Sequence, residues 1–495
     1  MDPDTAVTTS VLVALVGLAG CVVLLLFLIA RWKWHVFLAL LVPILLFGII
    51  PGVQRNNFIE AFELGFGKTL GSIGIVIVLG SIIAEALRHT GGVQVITRSM
   101  VRLVGAKRMP FALTLSGFVL GVAIFSDVAY VILNPLVHSA AHAMGVGIGT
   151  MSIGLVGALQ LTHAIVPPTP GPLAAAALVG ADIGKTIIFG SVACLVGAVA
   201  GWIWGQYVIG PRLKTAPAEE FRDASFFPEE GETEADGDAQ GAPAPVGVTM
   251  PGEVGGEGSA EDDVAPAPEV VHAPLPSTVG AYLPIVVPVL LISAQSVAKL
   301  TLPDGHLVRD ILAFVGWPVV ALAIGLWLAL LNMKGVAKKT ETTNQWVKDG
   351  LKTSAMILVV TGLGGSLSEI LKGTPAVGYV ADLFSSYGLP AILLPFTMGI
   401  IGNMLTGSTT VGVITAGSLV APMLGALELS PEAAMLSGAS GSVIIKYVNS
   451  SYFWVCTSLS KLELKEALLG FGGVTLVGGL ASFAAVWAMW AAGLV

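Results

Sequence analysis

Apolar stretches long enough to cross a bilayer follow one another along almost the whole chain. They lie near 10–30, 36–53, 70–87, 110–126, 128–145, 149–180, 186–210, 279–298, 310–332, 354–371, 388–405, 410–427, 432–456 and 467–494. A helix needs about 20 such residues to cross the hydrocarbon core. Charged residues make up only 11% of the 495, and hydrophobic residues 55%; soluble domains carry about 25% charge. So little charge cannot cover a water-facing surface. The chain reads as an all-α polytopic membrane protein with about 12–14 membrane segments, some of them broken helices or re-entrant hairpins. The 61 glycines agree, because small residues let membrane helices approach closely.

The net charge of −8 comes from one segment. Between Thr215 and His272 there are 15 acids and one base, Arg222, so removing that −14 leaves the remainder at +6. Rich in Pro, Gly, Ala and Glu, this segment reads as a disordered loop. The three cysteines, Cys21, Cys194 and Cys456, stand singly in apolar runs without CxxC spacing, as small buried side chains. No metal or cofactor is expected. Asp2 and Asp4 precede the first apolar run where a signal peptide would be basic, so residues 10–30 read as a retained span.

Lys and Arg residues set orientation. Arg31 and Lys33, the group Arg88, Arg98, Arg102, Lys107 and Arg108, then Arg212 and Lys214, and the lysines from Lys334 to Lys352 all fit the cytoplasmic side. That places the N-terminus outside and the acidic loop inside a plasma membrane.

The two halves share a pattern. Ala84–Thr90 resembles Ser368–Thr374 at an offset of 284, Val131-Ile132 matches Val413-Ile414 at 282, and Lys185–Gly190 resembles Lys465–Gly470 at 280. Five bases fill the loop after Glu85, whereas Lys372 alone stands between Glu369 and Pro390. Opposite charge bias in matched loops predicts two inverted-topology repeats with a substrate site where their broken helices meet. The expected layout is N-terminal spans over 1–58, repeat 1 over 59–210, the acidic loop over 211–278, connecting spans over 279–345 and repeat 2 over 346–495.

Candidate site residues gather at the breaks. Ser126-Asp127 puts a carboxylate inside an apolar stretch, a costly placement that suits a proton carrier; the alternative is a cap on the next helix. Thr162-His163 precede Pro167, Pro168, Thr169, Pro170, Gly171 and Pro172, a run that no continuous helix tolerates. A half-helix N-terminus there favours an anion, and His163 can donate to a carboxylate. Gly407, Ser408 and Thr409 form the second-half counterpart, with hydroxyls for a hydroxylated substrate. Asn449 and Ser450 add polar groups near Lys446, which would either meet the substrate's charge or snorkel to the cytoplasmic face. Glu85 and Glu369 sit at matched positions near span ends.

These motifs resemble the gluconate permease family of the ion transporter superfamily. The resemblance rests on Thr69–Ser72, Thr90-Gly91-Gly92, Phe125–Pro135, the Thr162–Pro172 stretch, Gly407-Ser408 through Gly417, and Val448-Asn449 with Phe453-Trp454. It implies proton symport of gluconate or a related sugar acid. Familiar members have Tyr-Glu at Ser126-Asp127, His at Thr169, Arg at Asn403 and Asp at Ser450. Sodium-coupled carboxylate transport is therefore the same-class alternative. The partners implied are a small organic anion, a coupling proton or sodium, and the lipid bilayer, with homo-oligomerisation open and no nucleic acid. An enzyme is disfavoured because HExxH and GxSxG motifs are absent, ATP-driven pumping because no Walker motif is present, and a channel because broken helices imply a single central site.

Overall fold

The computed structural model describes residues 11–32, 34–49, 55–213, 215–219, 275–332, 339–371, 386–444, 446–447 and 450–495. Among the described residues every regular element is helical. Two apolar helices lead, α1 (Val11–Ala30) and α2 (Val36–Phe47). The first half runs through α3 (Arg55–His89), α4 (Gly92–Val104), α5 (Met109–Leu120), α6 (Ser126–Met144), α7 (Ile148–Ile165), α8 (Pro170–Val179) and α9 (Ile183–Ile203). Helices α10 (Thr278–Thr301), α11 (Leu307–Val315) and α12 (Pro318–Leu331) connect the halves. The second half runs through α13 (Lys339–Leu371), α14 (Leu393–Thr406), α15 (Thr409–Val420), α16 (Pro431–Val443), α17 (Ser451–Leu459), α18 (Leu464–Ala467) and α19 (Gly473–Ala491).

Full-length spans alternate with half-length helices. Asn56–His89, Ile183–Arg212, Thr278–Thr301, Thr340–Leu371 and Leu464–Ala491 are long and apolar enough to cross a bilayer, and α11 with α12 makes a span bent by 64°. By contrast α5 and α15 have 12 residues each and α8 has 10. Twelve residues rise about 18 Å, short of a hydrocarbon core about 30 Å thick. The apolar run over 149–180, one stretch in the sequence, is two helices, α7 and α8, separated by a break. Val192, Leu195 and Ile203 on α9 and Leu290 and Leu300 on α10 are exposed, as lipid-facing side chains are. The basic segment after Glu85 holds an amphipathic helix, α4, whose Val93, Ile96 and Val101 are buried while Arg102 is exposed.

The order of elements in the two halves corresponds: a long helix, a helix broken from the next, a second broken pair, and a final long helix. The packing corresponds too, since α5 lies on α7 as α14 lies on α16, and α8 on α15 as α17 on α6. The long helices also pack on each other, α3 on α13 and α9 on α19. Both crossings use glycine. A Cβ on Gly365 would sit 2.5 Å from the Gly65 carbonyl oxygen. A Cβ on Gly197 would sit 2.6 Å from the Gly478 carbonyl oxygen, and one on Gly478 would sit 3.2 Å from that of Gly197. These contacts bring the backbones of the halves together and place the broken helices between them.

Candidate functional site

The break between α7 and α8 is built by proline. Val166 is extended, the Pro167–Pro168 peptide is cis, and Pro170 and Pro172 open α8, where the missing N–H groups have no helical acceptor to serve. Thr169 Oγ1 donates to the Val166 carbonyl at 2.7 Å and closes the turn. Gly171 lets α15 approach, since a Cβ there would lie 3.3 Å from Thr410 Cα.

The break between α14 and α15 is built by glycine. Gly407 has φ +72 and donates its N–H to the Asn403 carbonyl at 2.7 Å. Ser408 Oγ caps α15 by accepting from the Val411 N–H at 3.3 Å. Between α5 and α6 the chain turns through 121–125, and Asp127 falls in the first turn of α6. Its Oδ1 accepts from the Val128 N–H at 2.9 Å.

One side chain joins these breaks. Gln160, buried on α7, accepts at Oε1 from Ser126 Oγ (3.3 Å) and donates from Nε2 to Thr409 Oγ1 (2.9 Å). With Gly171 against Thr410, the N-termini of α6, α8 and α15 therefore meet in one place. Each helix start carries roughly half a positive charge, so their convergence favours an anion.

A buried lysine amine stands beside them. Lys446 is 3% exposed and its Nζ donates to Asn403 Oδ1 and to the Gly407 carbonyl, both at 2.8 Å. Asn403 in turn donates from Nδ2 to the Ile444 carbonyl at 2.9 Å. Lys446 points inward and does not snorkel. Asn403, which stands where the resemblance gives an arginine, is in direct contact with a cation all the same.

On the first-half side a crevice is lined by Ser81, Phe125, His163 and Pro168 and walled by Pro288 and Leu322. The rings of Phe125 and His163 lie 5.2 Å apart. Ser81 Oγ and His163 Nδ1 are buried and have no hydrogen-bond partner among the described residues. Buried polar atoms normally find partners, so a polar group entering this crevice would meet two unsatisfied atoms.

The fold thus gathers Ser126, Thr169, Gly171, Gly407, Ser408 and Thr409 around the break junction, and His163 and Pro168 at the crevice beside it. Thr162 is fully buried next to Cys194. Asp127 holds the Val128 N–H in the first turn of α6, and no contact joins it to His163 among the described residues. Ser450 is buried and donates its N–H to the Tyr447 carbonyl at 3.0 Å, while Asn449 lies outside the described residues. Glu85 pairs with Arg88 at 2.6 Å. Its carboxylate, His89 and Asp349 lie within metal-ligand reach of one another, but Arg88 also contacts His89 Nε2 at 3.0 Å, so a cation already occupies that cluster. Sequence reasoning missed Gln160 and Ser81. Gln160 carried a signal: it is the one amide side chain on α7, a single helical turn before His163.

Comparison with known proteins decides the family. The pattern described as GntP family permease matches residues 11–234 and 260–493, leaving only 235–259 between the two stretches unmatched. The chain belongs to the GntP permease family. It is 30% identical to an uncharacterized permease of Haemophilus influenzae over 94% of this chain and 92% of that one. It is 27% identical to the high-affinity gluconate transporter of Escherichia coli, covering 92% and 94%. It is 26% identical to the Gnt-II system L-idonate transporter of the same organism, covering 92% and 94%. The YdaH transporter of Alcanivorax borkumensis has a similar fold, with TM-score 0.56 and 14% identity over 89% of this chain and 90% of that one. This GntP family permease is a multi-pass membrane transporter and not an enzyme.

Proposed function

We propose that this permease is a secondary transporter of gluconate or a related small hydroxylated organic acid, carried together with a proton across the plasma membrane. The observation that carries the reading is the meeting of three helix N-termini, at Ser126, Pro170 and Thr409, around Gln160. Helix starts at membrane depth offer N–H groups and positive potential to an anion without introducing a full charge. The hydroxyls of Ser126, Ser408 and Thr409 suit a polyhydroxylated chain, and relatives named for gluconate and L-idonate transport support that class. Ser81 and His163 supply further donors from the crevice. Asp127, half-buried and without a basic partner among the described residues, is the proton carrier.

The corresponding order of elements in the two halves supports an inverted repeat, with repeat 1 over 59–210, repeat 2 over 346–495 and spans 279–345 connecting them. The N-terminus is then outside and the acidic loop cytoplasmic. Purified protein in proteoliposomes tests the reading. Uptake of radiolabelled gluconate or L-idonate driven by an imposed pH gradient is expected. Uptake driven by a sodium gradient alone points to the sodium-coupled alternative, and no uptake of any sugar acid under either gradient rejects the function.

A further inference from the structure

Lys446 occupies the kind of place in which a transporter fold holds a coupling cation. In broken-helix transporters, carbonyls of unwound backbone and of half-helix C-terminal ends coordinate the ion. Here the C-terminal end of α14 presents the Gly407 carbonyl, and the Asn403 side-chain carbonyl lies one turn earlier. Both oxygens point at Lys446 Nζ at 2.8 Å. The cradle is fixed from outside, since Asn403 Nδ2 donates to Ile444 O and the Lys446 N–H donates to Thr475 Oγ1 at 2.9 Å. It is also dry, with Lys446 only 3% and Asn403 1% exposed.

Two neutral oxygens do not neutralise an ammonium. No carboxylate lies within ion-pair distance of Lys446 among the described residues. An isolated buried charge is costly and persists where something compensates it. An ammonium has three N–H bonds, and two have acceptors among the described residues. The elements packed around it add little charge: α14, α15 and α19 carry no titratable side chain, and α7 carries only His163. Helix α17 carries Tyr452 and Cys456, and α6 carries Asp127. Glu432 of α16 is engaged with Asp182 and Lys185.

We propose that Lys446, when protonated, is a tethered cation: its Nζ fills the carbonyl site of the second half, so no sodium binds there, and its third N–H is left for the carboxylate of the substrate. This rests on the transport reading above. The site would take a monocarboxylate whose charge Lys446 completes, and transport would not depend on sodium.

Counterflow of radiolabelled gluconate or L-idonate, at equal pH on both sides, tests this in sodium chloride against choline chloride. Wild-type exchange is expected to be the same in both salts. In choline, Lys446→Ala is expected to exchange at least about tenfold more slowly, a loss of about 1.4 kcal/mol in binding or translocation, with sodium restoring part of it. Wild-type exchange that needs sodium overturns the proposal, as does unimpaired exchange by Lys446→Ala in choline or a loss that sodium leaves untouched. Should Lys446→Ala fail to fold, thermal unfolding of the wild type decides: saturable stabilisation by sodium over choline rejects a filled site, and none supports it. Exchange of no acid by the wild type in either salt strikes the transport reading instead.

Discussion

Gln160 stands between Ser126 and Thr409, accepting from one hydroxyl at 3.3 Å and donating to the other at 2.9 Å. Those hydroxyls begin helices in different halves of the chain. A single amide thus holds the first-half and second-half breaks in register at the point where the helix starts converge.

Replacing it should uncouple them. Gln160→Leu keeps the volume but leaves two buried hydroxyls without their partner, at a cost of about 1–3 kcal/mol. We expect counterflow of the transported acid to fall at least about tenfold and the unfolding temperature to drop. A lowered unfolding temperature with normal counterflow would reduce Gln160 to a strut.

Ser81→Ala should behave in the opposite way. Its hydroxyl has no partner among the described residues, so removing it breaks no hydrogen bond there and is expected to leave stability unchanged or slightly raised. Substrate affinity, read as ligand-induced stabilisation, should fall. Equal stabilisation of variant and wild type would show that the substrate does not reach the crevice.

Asp127→Asn retains an oxygen for the Val128 N–H and loses the exchangeable proton. Counterflow at equal pH should persist while accumulation driven by a pH gradient disappears. Undiminished pH-driven accumulation would assign the proton to another group.

Gly197→Ala pushes a Cβ to 2.6 Å from the Gly478 carbonyl oxygen, and overpacking of this kind costs about 1–3 kcal/mol. Gly67→Ala is the control: it has open space around it in α3 and should be neutral, or stabilising by about 0.5–1 kcal/mol. Thermal unfolding in detergent reads both. Equal effects would mean the α9–α19 contact is looser than the geometry states.

Residues 235–259 lie between the two stretches that match the family. Their deletion is expected to leave uptake within about twofold of the full chain, measured in the same vesicles. A large loss would give the acidic segment a role in transport.

Proline and glycine made the breaks legible. Pro167, Pro168 and the Gly407-Ser408 pair mark places where a helix cannot continue, and breaks at membrane depth are where such folds put their sites. The near-constant offset between halves was legible for the same reason, because it follows from a repeated order of helices. Long-range partners were not. Gln160 looks like an ordinary polar interruption until α6 and α15 are brought to either side of it. Lys446 carries the same letter whether it reaches out to lipid headgroups or inward to Asn403, and only the packing of α14 decides. Asp127 kept both of its sequence readings, as a first-turn acid of α6 that also lies deep in the fold.

Gly197 and Gly478 are 281 positions apart, within one residue of the 280 that separates Lys185–Gly190 from Lys465–Gly470. The repeat would make them counterparts, and they pack directly on each other. A residue meets its own counterpart only on an axis of twofold symmetry, which is also the rule for an interface between two identical subunits. If the two halves are an inverted repeat, the seam between them has the form of a homodimer interface fused into one polypeptide.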